Sequence, residues 1–398
     1  MKTVGIICEY NPFHLGHQNH IMQSIRSIGN EEASDTAVVG VMSGNYVQRG
    51  DLAAFNKHAR AKMAVNCGVD LVLELPTPYV LQSAEGFAKA GVYILEKLGV
   101  CDYISFGSES GDLEILSFAS EVIVTDKANT IIREWLDKGL SYAAAGQKAA
   151  DALMGKNAEV FKSPNNVLGI EYIKALNELN SKIKPITIKR TGGDHDSETG
   201  YSASALRKVL LTDNIPIDLM PEAAAAVCME EINKGRKPIS IKSIEQAILS
   251  RLRLQSDYSK IAGVSEGLEK RFERYAAKES SIDAVLEKTK TKRYPMSRLR
   301  RVLICAALGI KKEDTQEPPP YIRILAMNEK GKKLLAKARK KANLPIITKP
   351  ASVCKMDGRA IKQFKLESSA TDLYTLAYEN ENNRIGGQEW LISPVILE

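Results

Sequence analysis

Three features of the sequence predict an α/β protein. Short apolar runs alternate with amphipathic stretches over residues 3–190, basic helical patterning begins at residue 221, and a polar, proline-rich break falls at 311–320. The expected architecture is a doubly wound five-stranded parallel sheet, followed by a basic helical domain with a small α/β module. The 398 residues exceed what one hydrophobic core usually organises. A boundary is expected after residue 212, giving units 1–212 and 213–398, with a sub-boundary near 311–320.

"TVGIICEY" (3–10) is rich in β-branched residues and closed by Asn11-Pro12, so it reads as a buried strand. A helix is expected from about 14 to 27. "DTAVVGVMSG" (35–44) reads as the second strand, and "NKHARAKMAVNCG" (56–68) as a helix that stops at Gly68. "DLVLELP" (70–76), closed by Pro76, is the third strand, and the helix after it spans 83–99. "DYISFGSE" (102–109) is the fourth strand, "SPNNVLGIEYIKALNEL" (163–179) a helix, and "KPITIKR" (184–190) the fifth strand. Parallel strands need crossover helices, and ligands of such sheets sit beyond the carboxyl ends of the strands. From Pro221 to about Leu308 the chain reads as helices with basic faces. The segments beyond 320 read as a small α/β module.

Apolar residues make up 44% and charged residues 26%, as in ordinary globular proteins. No window reaches the roughly 18 apolar residues of a membrane span and no cleavable leader is evident, so a cytoplasmic location is expected. The six cysteines lie far apart with no C-x-x-C pair, which disfavours a disulfide framework and predicts reduced core thiols. The net charge of +7 is unevenly spread: residues 1–230 carry 21 Lys+Arg against 28 Asp+Glu, and residues 231–360 carry 31 against 14. "KTKTKRYPMSRLRR" (288–301) and "KGKKLLAKARKK" (330–341) hold almost no acid. Such stretches favour a nucleic-acid partner over a merely solvated face or an anionic membrane. Lys288, Lys290, Lys292, Arg293, Arg298, Arg300 and Arg301 are the candidate contacts.

Three of the five histidines, His14, His17 and His20, stand three residues apart where the first strand turns into a helix. Pro12 suits a turn, Gly16 permits close approach of a ligand, and the N–H groups and dipole of the helix N-terminus attract phosphate. His14 and His17 at i, i+3 share a helix face and can donate to phosphate oxygens as transition-state charge builds. A zinc site fits less well, because helical zinc pairs favour i, i+4. Histidines with a purely structural role are the simpler alternative. No G-x-G-x-x-G follows a strand, which disfavours a dinucleotide fold.

"NPFHLGH" resembles the H-x-G-H signature of the nucleotidylyltransferase superfamily, and "YSASALR" (201–207) resembles its second, serine-rich motif. "GIICEYNPFHLGH", "VMSGNYVQRGDLAAFNKHARAKMA", "GVDLVLELP", "FGSE", "SPNNVLGIEY" and "KRTGGDHD" together resemble the bacterial tRNA(Met) cytidine acetate ligase family over residues 1–210. The resemblance implies a nucleotidylyltransferase-type sheet and ATP-dependent activation of acetate to acetyl-adenylate. It further implies acetylation of N4 of the wobble cytidine in elongator tRNA(Met), with magnesium on the phosphates and no metal ligated by the protein. His14 and His17 would be catalytic. The ATP site would comprise Ile7, Cys8, Glu9, Tyr10, Asn11, Pro12, Phe13, His14, Leu15, Gly16, His17, Gln18, Asn19 and His20, with Gly107, Asn165 and Arg190 and, from the second motif, Ser202, Ser204 and Arg207. Gln48, Arg49, Lys57 and Arg60 are candidate acetate or cytidine contacts, although a helix carrying Lys57, Arg60 and Lys62 reads first as a solvated face. An adenylyltransferase for a small phosphorylated metabolite would not need the basic half, and a non-catalytic RNA binder would not need the histidine pair.

Overall fold

A computed structural model describes residues 1–29, 35–190, 203–212, 216–265 and 267–398, with the backbone alone for 203–205. Ser202 lies outside the described residues, as does the side chain of Ser204.

The five expected strands all form: β1 (Lys2–Cys8), β2 (Thr36–Ser43), β3 (Leu71–Leu75), β4 (Tyr103–Ser108) and β5 (Lys184–Lys189). They pair in parallel in the order β3-β2-β1-β4-β5. The connections that link them carry helices on both faces: α1 (Leu15–Ser27) and α2 (Lys57–Asn66) on one, α3 (Ala84–Leu98) and α4 (Pro164–Glu178) on the other. Local signals place the helix ends close to where the sequence puts them. Asn56 and Ser83 cap α2 and α3 through their side chains, and Gly99 closes α3 in the left-handed region.

The sheet is larger than expected. The segment read as a separate α/β module supplies β6 (Ile322–Met327), β7 (Ile346–Ile347) and β8 (Val395–Ile396), making eight strands. β6 runs antiparallel along β3, and β7 and β8 pair with β6. The reason is physical: every residue of β6 is buried, and the open edge of β3 offers the unpaired backbone that such a strand needs.

Between these parts lies a helical region, Glu222–Asn233, Glu245–Leu254, Leu268–Lys278, Ile282–Thr289 and α6 (Met296–Leu308), as the basic helical pattern predicts. Here α5 denotes Ala203–Leu210, and α7 and α8 denote Gly358–Thr375 and Gln388–Leu391. The helical core is not independent of the first half. Tyr46 and Leu52, from a short hairpin after β2, share it with Leu299 and Leu303 of α6 and Tyr374 of α7. No described helix is long and apolar enough to cross a membrane. Four of the six thiols are buried, whereas Cys354 is exposed.

Candidate active site

Strand order reverses between β1 and β4, and there the sheet splits. The β1–β2 ladder continues to Cys8 and Met42, whereas β1 pairs with β4 only at Val4–Tyr103 and Gly5–Ile104. Beyond the split, at the carboxyl ends of the strands, lies a cavity of about 1300 Å³. This is the crevice where doubly wound sheets bind ligands.

Ile7, Cys8, Glu9, Tyr10, Asn11, His14, Gly16, His17, Asn19 and His20 line it from β1, the turn and α1. Gly107 joins from β4, Asn165 from α4, Arg190 from the end of β5 and Arg207 from α5. The structure therefore gathers most of the expected nucleotide-site residues. Pro12, Phe13, Leu15 and Gln18 do not line the cavity: Phe13 packs in the core against Tyr10 and His17, and Leu15 is exposed.

The histidines are held by the backbone they cap. Gly16 N–H donates to His14 Nδ1 at 3.1 Å, and His14 N–H donates to His17 Nδ1 at 3.2 Å. The two rings stack with centroids 3.6 Å apart. This is a capping box built from imidazoles. A ring nitrogen that accepts cannot carry the proton, so each neutral ring bears it on Nε2 and offers one N–H donor. Burial, then the nearby Arg190 and Arg207, push His14 down to about 4, and burial also holds His17 well below its usual range. His20 is likewise pushed down to about 4, chiefly by burial, and its Nε2 meets Ser105 Oγ of β4 at 3.1 Å.

Two expectations change in their physical detail. Gly16 leaves room for a protein group as well as a ligand: a Cβ there would stand 2.9 Å from His14 Cε1. The N–H groups of Gly16 and His17 are taken within the turn, by His14 Nδ1 and His14 O, so the imidazoles take over their role as donors.

The histidines should stay neutral through ordinary pH. Imidazole ¹⁵N shifts are expected to report the Nε2–H tautomer for His14 and a neutral ring for His20 from pH 8 down to about 5, since both titrate at about 4. The unfolded chain takes up these protons near pH 6.5. Their contribution to stability is therefore present above 6.5 and lost as pH falls towards 4, visible as a lower urea midpoint.

Gly107 gives Arg190 its place, because a Cβ on Gly107 would meet Arg190 Cγ at 3.2 Å. Asn165 Nδ2 donates to Glu109 Oε1 at 2.6 Å, and the other carboxylate oxygen accepts from Asn166 N–H at 3.0 Å. Glu109, at the end of the "FGSE" motif, thus caps α4 and orients Asn165. Arg207 Nη1 donates to Asn11 O at 2.9 Å, which ties α5 to the turn beside the histidines. Among the described residues Arg207 has no carboxylate within ion-pair reach, though Glu9 and Asp51 act on its charge from farther off. Arg207→Ala is expected to raise the KM for ATP at least tenfold and leave tRNA affinity within twofold. Parallel ATP kinetics and tRNA binding assays check this.

The opposite wall was not anticipated. Arg293, Arg298, Arg300 and Arg301, expected as RNA contacts, line this same cavity, while Lys288, Lys290 and Lys292 lie outside it. Lys288 pairs with Glu279 at 2.9 Å. The hairpin after β2 brings the wall in: a Cβ on Gly50 would come within 2.6 Å of the backbone of Arg300 and Arg301. Gln48 and Arg49 of that hairpin line the cavity too. The stretch 330–341 lies at the far end of the sheet, since Gly331 packs against Asp70, which precedes β3.

Lys57 and Arg60 are neither a solvated face nor part of the cavity lining. Both are buried, Lys57 against Glu74 at 2.6 Å and against Glu389, and Arg60 on the carbonyls of Glu9, Ser43, Gly44 and Phe55. Lys62 pairs with Glu230 at 2.6 Å.

The whole chain, and this site with it, has known relatives. The sequence matches the family described as HIGH nucleotidyl transferase over residues 1–389. It is 37% identical over 420 aligned positions to the tRNA(Met) cytidine acetate ligase of Acetivibrio thermocellus, covering 100% of both chains. It is 38% identical to that of Caldanaerobacter subterraneus, covering 96% of each. The chain belongs to the tRNA(Met) cytidine acetate ligase family. Among solved structures, Thermotoga maritima TmcAL bound with alpha-thio ATP superposes with a TM-score of 0.91 at 35% identity, covering 100% of each chain. The apo form of the same protein gives 0.93 at 34% identity, again over 100% of each chain. Membership in this ligase family therefore covers the basic half as well as the sheet.

Proposed function

We propose that this ligase binds ATP in the cavity with its phosphates over His14 and His17, between Arg190 and Arg207. Acetate oxygen attacks the α-phosphorus, the bond to the β,γ-diphosphate breaks, and pyrophosphate leaves from acetyl-adenylate. The two Nε2–H donors and the two guanidinium groups offset the charge that grows on the phosphate oxygens. The N4 amine of the wobble cytidine in elongator tRNA(Met) then takes the acetyl group and AMP departs. A tRNA substrate goes with the cytoplasmic location expected from the sequence.

One observation carries this reading: the histidine floor and the arginine wall of the basic half enclose a single cavity. An adenylyltransferase for a phosphorylated metabolite would need only the floor. Magnesium would enter with the triphosphate. Among the described residues no group of three or more His, Cys, Asp or Glu side chains could hold a metal ion.

The test is pyrophosphate release from ATP with and without acetate, and with and without tRNA(Met). Acetate-dependent release and acetyl transfer to the tRNA support the ligase. Release that needs a phosphorylated metabolite instead overturns it.

Charge reversal of Arg298 and Arg300 together with Lys288, Lys290 and Lys292 is expected to weaken tRNA binding at least tenfold and flatten its salt dependence. Each neutralised phosphate releases counterions, so fewer contacts mean a smaller slope. Acetate-dependent pyrophosphate exchange should stay within threefold. Unchanged tRNA affinity and slope would remove these residues from tRNA binding.

A further inference from the structure

Three described carboxylates line the cavity: Glu9, Glu85 and Glu171. Two are neutralised locally, Glu85 by Lys89 at 3.0 Å and Glu171 by Lys174 at 2.8 Å. Glu9 is different. It is the first residue after β1, half-buried, with no side-chain cation within ion-pair reach among the described residues. One oxygen, Oε1, accepts from Gln48 N–H at 2.6 Å, and among the described residues no hydrogen bond engages Oε2.

Its position is as informative as its state. Gln48 joins Glu9 to the opposite wall: its N–H holds Glu9, and its carbonyl accepts from Arg301 Nη1 at 3.5 Å. Glu9 therefore sits at the seam where the histidine floor meets the arginine wall. An acyl-adenylate formed over the floor and a base entering along the wall would meet there.

We propose that Glu9 is the general base of the acyl-transfer step, accepting the proton from the attacking exocyclic amine of the nucleobase. This rests on the ligase reading above. The amine lone pair forms a bond to the acetyl carbonyl carbon, and the carbonyl electrons move onto oxygen. The N–H proton passes to Glu9 Oε2, the oxyanion collapses, and the C–O bond to AMP breaks. The product is a neutral amide and AMP, and Glu9 returns its proton to solvent. An exocyclic cytosine amine is a poor nucleophile whose adduct stays acidic, so removing that proton is the assistance the step requires. Burial pushes Glu9 above the usual carboxylate range, while the Gln48 N–H, Arg60 of α2, Arg207 of α5 and Arg49 of the hairpin oppose that rise. The result suits a base that must take up a proton and then release it.

The experiment separates the two half-reactions. Glu9→Gln keeps an oxygen to accept from Gln48 but cannot take a proton. Single-turnover acetyl transfer to tRNA(Met) should fall about 10²-fold or more, and at least about tenfold further than acetate-dependent pyrophosphate exchange, which Glu9 can also affect because it lines the same cavity. The acid limb of the wild-type transfer rate should vanish in this variant. Glu9→Asp, which keeps the carboxylate, should recover part of the transfer and the acid limb. Wild-type transfer by Glu9→Gln overturns the proposal, and so does loss of exchange and transfer together in either folded variant, which would place Glu9 in ATP binding. Should Glu9→Gln not fold, the acid limb in Glu9→Asp decides: its absence overturns the proposal. If wild-type protein shows no acetate-dependent exchange, the ligase reading falls first, and the wild-type arm reveals that separately.

Discussion

His14→Ala and His17→Ala are each expected to lower acetate-dependent pyrophosphate exchange by about 10² to 10³-fold, because each removes one preorganised donor to the reacting phosphates. His14 also caps α1, so its loss carries a structural cost of about 1 kcal/mol that must be told apart from the chemistry. His14→Asn does this. Asparagine is a good N-cap acceptor but does not place a donor where Nε2–H stood. It should restore the thermal midpoint while exchange stays low. Exchange near wild type in His14→Ala or His17→Ala would remove that histidine from the mechanism. The loss should appear in kcat more than in the KM for ATP, since donors matched to growing charge act mainly in the transition state.

The second large effect is on stability and lies outside the cavity. Glu389 on α8 is fully buried and accepts from Lys57, Arg323 and the Thr371 hydroxyl. Glu74 completes the group, reaching Lys57 at 2.6 Å and Arg323 at 3.3 Å. Burial, and then Glu74, push nearby Glu367 up to about 7, where it accepts from Thr77 N–H and Oγ1 and from Gln363. Glu389→Ala leaves two buried cations facing one full carboxylate, and removing a partner from such a group costs about 3 to 5 kcal/mol. The urea midpoint should drop accordingly. Glu389→Gln, which keeps the shape and the Thr371 contact, should lose less. A midpoint unchanged in Glu389→Ala would mean that the network adds nothing to the docking of the C-terminal segment on the sheet.

Much of this protein follows from the sequence alone. The five parallel strands, the helices between them and the histidine turn at the end of β1 were legible because each is a property of consecutive residues. Apolar runs of strand length, helical periodicity and Gly or Pro punctuation act over a few residues, and in a parallel sheet they also locate the ligand crevice. Gly107 and Arg190 could be placed for the same reason, each belonging to a strand end. The surplus of positive charge after residue 231 was equally plain.

Only the tertiary structure decided the environment of single side chains. Lys57 resembles any basic residue on a helix until Glu74 and Glu389, 17 and 332 positions away, enclose it. Ile322–Met327 looks like part of a separate module until the open edge of β3 claims it. The arginines of α6 reach the cavity beside the histidines because a hairpin from the first half presses on that helix, and the seam that isolates Glu9 exists only once they meet. The desolvation that keeps a histidine neutral or a lysine paired depends on which distant groups arrive beside it, and local pattern carries no record of them.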